Sequence, residues 1–171
     1  EGAADLTLNK DEGRGGTADD VAVAASFYNK PDDTRETVTL EFDKVWEDFG
    51  DAFGTRPEKL TLTVWRQAHA QAGQENEIPL TEVPDTAYEI QAQKDDNTWH
   101  YTITGKADGE LERYAPNGMP WVYEIAEAVP DGYTNNATGN ATWTTGDPVD
   151  GVLTAGKLTN SITQKVYYRK Q

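Results

Sequence analysis

The sequence predicts an all-β fold, a mostly antiparallel β-sandwich. Three observations predict it. Apolar and polar residues alternate with period two along most of the chain, turn-forming clusters break the alternation at short intervals, and threonine, a strand-favouring residue, is abundant. Successive side chains of a strand point to opposite faces, so such runs read as half-buried strands, and several of them separated by turns fit two sheets packed face to face.

The elements follow in chain order. Thr37 to Trp46 alternates cleanly, as do Leu60 to Trp65, Trp99 to Thr104, Trp121 to Glu127 and Lys157 to Ile162. Turn signals lie between them at Asp48 to Gly54, Lys94 to Asn97, Pro116 to Gly118, Pro130 to Gly132 and Thr145 to Pro148. Arg66 to Gly73, rich in Ala and Gln, reads as either a short helix or a loop. Residues 1–36 differ. Two short alternating runs, Asp5 to Lys10 and Val21 to Lys30, flank a Gly-rich acidic turn, and the linker-like Lys30-Pro31-Asp32-Asp33-Thr34 follows. This stretch is either an extra hairpin or the end of a preceding module. Residues 37–171 then form the sandwich domain. The start at Glu1, without Met or an apolar leader, reads as a piece of a longer protein.

Composition narrows the function. A length of 171 residues suits one domain that hides about 70% of its unfolded surface. Fifteen basic against 30 acidic residues give a net charge of -15, which leaves no electrostatic footprint for nucleic acid and opposes docking on an anionic membrane. No apolar run approaches the roughly 18 residues of a membrane span. Without cysteine there is no disulfide, thiolate metal site or thiol nucleophile. The two histidines, His69 and His100, exclude a multi-histidine metal site. Acidic loops such as Asp95-Asp96-Asn97 lack calcium-loop spacing and read as solvated, and no cofactor motif is present. Two Asn-Ala-Thr sequons, at Asn136 and Asn140, read as incidental.

The faces carry the chemical signal. Val38, Leu40, Phe42, Lys44 and Trp46 share one side of their strand; Trp121, Tyr123, Ile125 and Glu127 share another; Leu158, Asn160 and Ile162 a third. A lysine, an acid and a carboxamide thus interrupt three apolar stripes. Each alone reads as a strand-end residue whose side chain reaches water. Together they form a reactive set, because a buried unpaired charge costs several kcal/mol. Desolvation favours the neutral amine, a nucleophile, and the neutral carboxyl, a proton donor. A protonated Glu127 would polarise the Asn160 carbonyl, Lys44 Nζ would attack that carbon, and Glu127 would pass the proton to the leaving nitrogen. Ammonia leaves and an amide joins Lys44 to Asn160. This happens once per chain, so the protein is expected to be no turnover enzyme.

The ordered segments Lys44-Val45-Trp46, Arg56-Pro57, Trp99-His100-Tyr101, Tyr123-Glu124-Ile125-Ala126-Glu127, Val129-Pro130-Asp131-Gly132-Tyr133 and Leu158-Thr159-Asn160-Ser161 resemble Cna protein B-type domains over about residues 37–168. The resemblance implies an inverse immunoglobulin-like sandwich in cell-wall-anchored surface adhesins and pilins of Gram-positive bacteria. It also implies an intramolecular isopeptide bond between Lys44 and Asn160 assisted by Glu127. The implied partners are neighbouring domains of the same surface protein or pilus, and a host matrix protein or glycan. The Gln67–Thr86 and Asn135–Ala155 regions are longer than a compact member needs, as a binding loop or decoration. Neither a sortase signal nor a pilin lysine motif is found. Asn29, on one face with Val21, Val23 and Phe27, resembles the terminal Asn of a preceding domain, against an ordinary polar residue at a strand end. The competing function is a carbohydrate- or host-protein-binding sandwich, with Trp65, Trp99 or Trp143 exposed to stack on sugars. A hydrolase with paired carboxylates is a distant third.

Overall fold

A computed structural model describes residues 36–106 and 111–162. The expectations for residues 1–35, Asn29 among them, lie outside the described residues. Among the described residues, ten strands build two sheets: β1 Thr39–Glu47, β2 Thr61–Ala68, β3 Ile78–Glu82, β4 Tyr88–Asp95, β5 Thr98–Gly105, β6 Val122–Ala128, β7 Tyr133–Asn135, β8 Ala141–Trp143, β9 Val152–Thr154 and β10 Leu158–Ile162. The first sheet runs β4-β5-β1-β10-β7, with β9 also on β1; the second runs β3-β2-β6-β8. The pairs are antiparallel except that β9 and β10 both run parallel to β1, one after the other along its edge. The all-β sandwich expected from the sequence is the fold observed.

Alternation explains the core. Leu40, Phe42, Trp46, Trp99, Tyr101, Ile103 and Leu158 of the first sheet meet Leu62, Val64, Tyr123 and Ile125 of the second, all buried. Phe42 stacks on Tyr101, with ring centroids 4.9 Å apart, and Trp46 meets Trp99 and Tyr133 edge-on at 5.0 and 5.1 Å. Such contacts favour one arrangement of large rings beyond what area burial gives. The turn Pro130-Asp131-Gly132 closes with Tyr133 N donating to Pro130 O, and Gly132 takes the left-handed φ of 83° that a side chain would oppose.

Two expectations are corrected, the helix alternative for Arg66 to Gly73 and the exposure of Trp99. Arg66 to Ala68 continues β2 and is paired with β3 and β6, so Arg66 to Gly73 is not a helix. The apolar contacts of Ala68, itself buried, outweigh the local helix preference. The Gln67–Thr86 region contributes an edge strand, β3, and Asn135–Ala155 contributes β8 and β9. Trp99 is buried at 5% exposure and presents no stacking surface.

Candidate functional site

Lys44 lies in the middle of β1 and Asn160 in the middle of β10, on adjacent parallel strands. Lys44 sits opposite Leu158, and Trp46 opposite Asn160, so the two side chains enter the core diagonally on one face. Glu127 comes from β6 of the other sheet and points back at them. Exposures of 0% for Lys44, 5% for Glu127 and 0% for Asn160 remove the strand-end alternative, since no side chain here reaches water.

The carboxyl of Glu127 collects the set. Lys44 Nζ donates to Oε2 at 2.6 Å, and Asn160 Nδ2 donates to Oε1 at 2.8 Å. Lys44 Nζ also lies 5.3 Å from the centroid of the Trp46 ring. Burial pulls the Lys44 ammonium below the ordinary lysine range, against the opposing bond and charge of Glu127. Burial, and then the charge of Glu127, raise the Tyr101 hydroxyl above its usual range. The arrangement can pass a proton between Nζ and Oε2 while holding a carboxamide on the other oxygen.

One detail departs from the sequence expectation. The amide nitrogen of Asn160, and not its carbonyl, faces Glu127, and Oδ1 is buried with no hydrogen-bond partner among the described residues. A carboxamide exchanges the two atoms by a half-turn, which would place Oδ1 on a protonated Oε1. An orphaned buried acceptor costs about 1–3 kcal/mol, so the unreacted site stores unsatisfied polarity.

Sequence reasoning missed a fourth member. Asn135, at the end of β7 and directly opposite Asn160, donates Nδ2 to Glu127 Oε2 at 2.6 Å. Its only signal was Asn135-Asn136 after a predicted turn, too common to single out. A second polar cluster lies nearby. Asp48, 1% exposed, accepts from Arg56 Nε at 2.7 Å and Nη2 at 2.5 Å, and from Tyr133 Oη at 3.0 Å. These bonds, led by Arg56, hold its carboxyl down at about 2. His100 is on the outer side, with Nδ1 2.6 Å from Asp43 Oδ1.

A two-layer sandwich with its first strand parallel to a late one, and a lysine, an acid and a carboxamide closed inside, defines an immunoglobulin-like structural module. The family model for the Cna protein B-type domain matches residues 40–146. The match covers more than half of the chain, and the chain belongs to this family. Lys44 and Glu127 lie within the matched residues and Asn160 beyond them. Among solved structures, a pilus-presented adhesin, Cpa, is similar over 74% of this chain and 28% of that one, at 12% identity and a TM-score of 0.27. This chain therefore spans less than a third of that structure. No curated protein matches it.

Proposed function

We propose that the chain is a load-bearing module of an extracellular, cell-wall-attached adhesin or pilin of a Gram-positive bacterium, stapled by an amide between Lys44 and Asn160. The observation that carries this reading is the buried Glu127 carboxyl, with Lys44 on one oxygen and Asn160 on the other. Family membership supports the surface role, and neighbouring modules of the same protein or pilus are the partners.

The reaction needs no external substrate. Lys44 Nζ, as the free amine, attacks Asn160 Cγ. Glu127 takes a proton from Nζ and returns one to Nδ2, the Cγ–Nδ2 bond breaks, and ammonia leaves. Packing supplies the effective concentration. The product amide ties β1 to β10 across 116 residues (160 − 44), worth roughly 5 kcal/mol by loop-closure entropy. Load entering at either strand then crosses a covalent bond that reductants do not cut. Intact mass under denaturing conditions tests the reading: wild type is expected one ammonia lighter than its sequence, and Glu127→Ala at full mass. Wild type at full mass contradicts it.

A second reading has one observation in its favour. Trp65, Glu124 and Trp143 stand side by side on β2, β6 and β8, all half-buried on the outer side of the second sheet. Burial raises the Glu124 carboxyl above its ordinary range. Two indoles flanking an acid suit a sugar ring, and a glycan array comparing wild type with Trp65→Ala tests it.

A further inference from the structure

Asn135 is the member of the cluster that the reaction as written does not use. Its orientation is fixed from both ends. Oδ1 accepts from Ala137 N at 2.7 Å, so Nδ2 is the end that meets Glu127 Oε2, at 2.6 Å. The half-turn open to Asn160 is closed to Asn135, because it would set Oδ1 against a carboxylate and Nδ2 against an N–H. The neighbouring Asn136 clips β7 to β10: its N donates to Thr159 O at 3.0 Å, and its Oδ1 accepts from Thr159 N at 3.1 Å. Asn135 is thereby held beside Glu127 independently of Lys44 and Asn160.

The consequence concerns where the proton of Glu127 sits. Among the described residues, Oε2 accepts from two nitrogens, Lys44 Nζ and Asn135 Nδ2, while Oε1 accepts from Asn160 Nδ2. Asn135 Nδ2 is an obligate donor and cannot receive a hydroxyl hydrogen. A proton placed on Oε2 toward it would leave two hydrogens facing each other. A hydrogen on Oε2 can then point only back at Lys44 Nζ, so the outlet toward Asn160 is Oε1, whose hydrogen meets the Asn160 carbonyl once that carboxamide makes its half-turn.

We propose that Asn135 is a positioning residue for amide formation: its fixed Nδ2 donor occupies Glu127 Oε2 and directs the carboxyl proton through Oε1 to the Asn160 carboxamide. This rests on the Lys44–Asn160 reading above. Lys44 is still the nucleophile and Asn160 the acceptor. The proton released by Nζ enters at Oε2 as the proton on Oε1 leaves for Nδ2 of Asn160, so Glu127 ends as it began and ammonia is the one product lost.

The test follows full-length chain from cell-free synthesis, sampled over time at several pH values, with the fraction lacking one ammonia read by denaturing intact mass. Asn135→Ala removes the donor and the Ala137 anchor. Asn135→Asp keeps an acceptor for Ala137 N–H and loses the donor until its carboxyl is protonated. The titratable neighbours of Glu127 among the described residues, Lys44 from β1 and Tyr101 from β5, are common to all chains, so the ratio to wild type at each pH isolates position 135. Both variants are expected to link about tenfold to a hundredfold more slowly, the scale of one charge-assisted hydrogen bond. The Asn135→Asp ratio should recover as pH falls, since its protonated carboxyl donates to Oε2 again, and the Asn135→Ala ratio should not.

Wild-type rates in both variants overturn the proposal. So does a slow Asn135→Ala beside a normal Asn135→Asp, which assigns the residue to the Ala137 turn alone. Loss of fold by near-ultraviolet circular dichroism in both variants, made on a Lys44→Ala chain that cannot link, also makes the role structural and overturns it. An Asn160→Ala chain that still sheds ammonia makes Asn135 the acceptor, which overturns it as well. Wild type that never sheds ammonia fails first, and that failure belongs to the Lys44–Asn160 reading itself.

Discussion

Two buried acid–cation pairs share the ring of Trp46: Lys44 Nζ lies 5.3 Å and the Arg56 guanidinium 5.5 Å from its centroid. Their surroundings differ. Asp48 is saturated, with two bonds from Arg56, one from Tyr133 and one from Asp51 N at 3.1 Å. Glu127 accepts one bond each from Lys44, Asn135 and Asn160, but the Asn160 carbonyl beside it has no partner among the described residues. Arginine stays protonated and fits a carboxylate with a planar fork, so its pair is a permanent clamp. Lysine gives up its proton on burial and becomes a nucleophile. The saturated pair is built to stay as it is, and the under-satisfied one is poised to change.

The largest effect expected from breaking this contrast comes from the lysine pair. Lys44→Ala or Glu127→Ala should leave the fold but lose roughly 5 kcal/mol from the missing tie, read as a lower urea midpoint. A Glu127→Ala chain that melts as high as wild type contradicts the account. Asp48→Ala should cost about 2–3 kcal/mol, because it removes the acceptor of Arg56 and Tyr133 while the guanidinium keeps Asp96 O and Asn97 Oδ1. Its mass should still be one ammonia low, which separates clamp from chemistry. The next effect is one of pH. Asp48 titrates at about 2 when folded, against 3.8 ordinarily, so its contribution is present above 3.8 and lost as pH falls toward 2. About 2 kcal/mol should disappear across that window, and Asp48→Asn should flatten the slope in acid titrations of stability. The smallest effect is Tyr133→Phe, which removes one hydrogen bond to Asp48 and should cost about 1 kcal/mol with no change in mass.

Legibility in the sequence followed burial. Lys44, Glu127 and Asn160 stood out because period-two alternation places them on apolar faces, and those faces are the core. Asn135 was not legible: β7 is three residues long, too short to show a period, and its importance comes from lying opposite Asn160, 25 residues on in sequence. β4 escaped notice because seven of its eight residues are exposed, so no apolar stripe marks it. The Asp48–Arg56 clamp hid in a turn. There Asp51 Oδ1 accepts from Thr55 N at 2.8 Å and Arg56 N at 3.2 Å, a folding-back that no periodicity records. Trp99 was misjudged because the sheet face of an aromatic next to a histidine depends on register, and its register against Lys44 puts the ring inside.

The most direct test of the central claim is the peptide map of the digested wild-type chain. The account predicts a branched peptide in which Lys44 Nζ is joined to the side chain of Asn160, one ammonia lighter than the two linear peptides together. Recovery of both segments only as linear peptides, with a free amine on Lys44 and an intact carboxamide on Asn160, would contradict it.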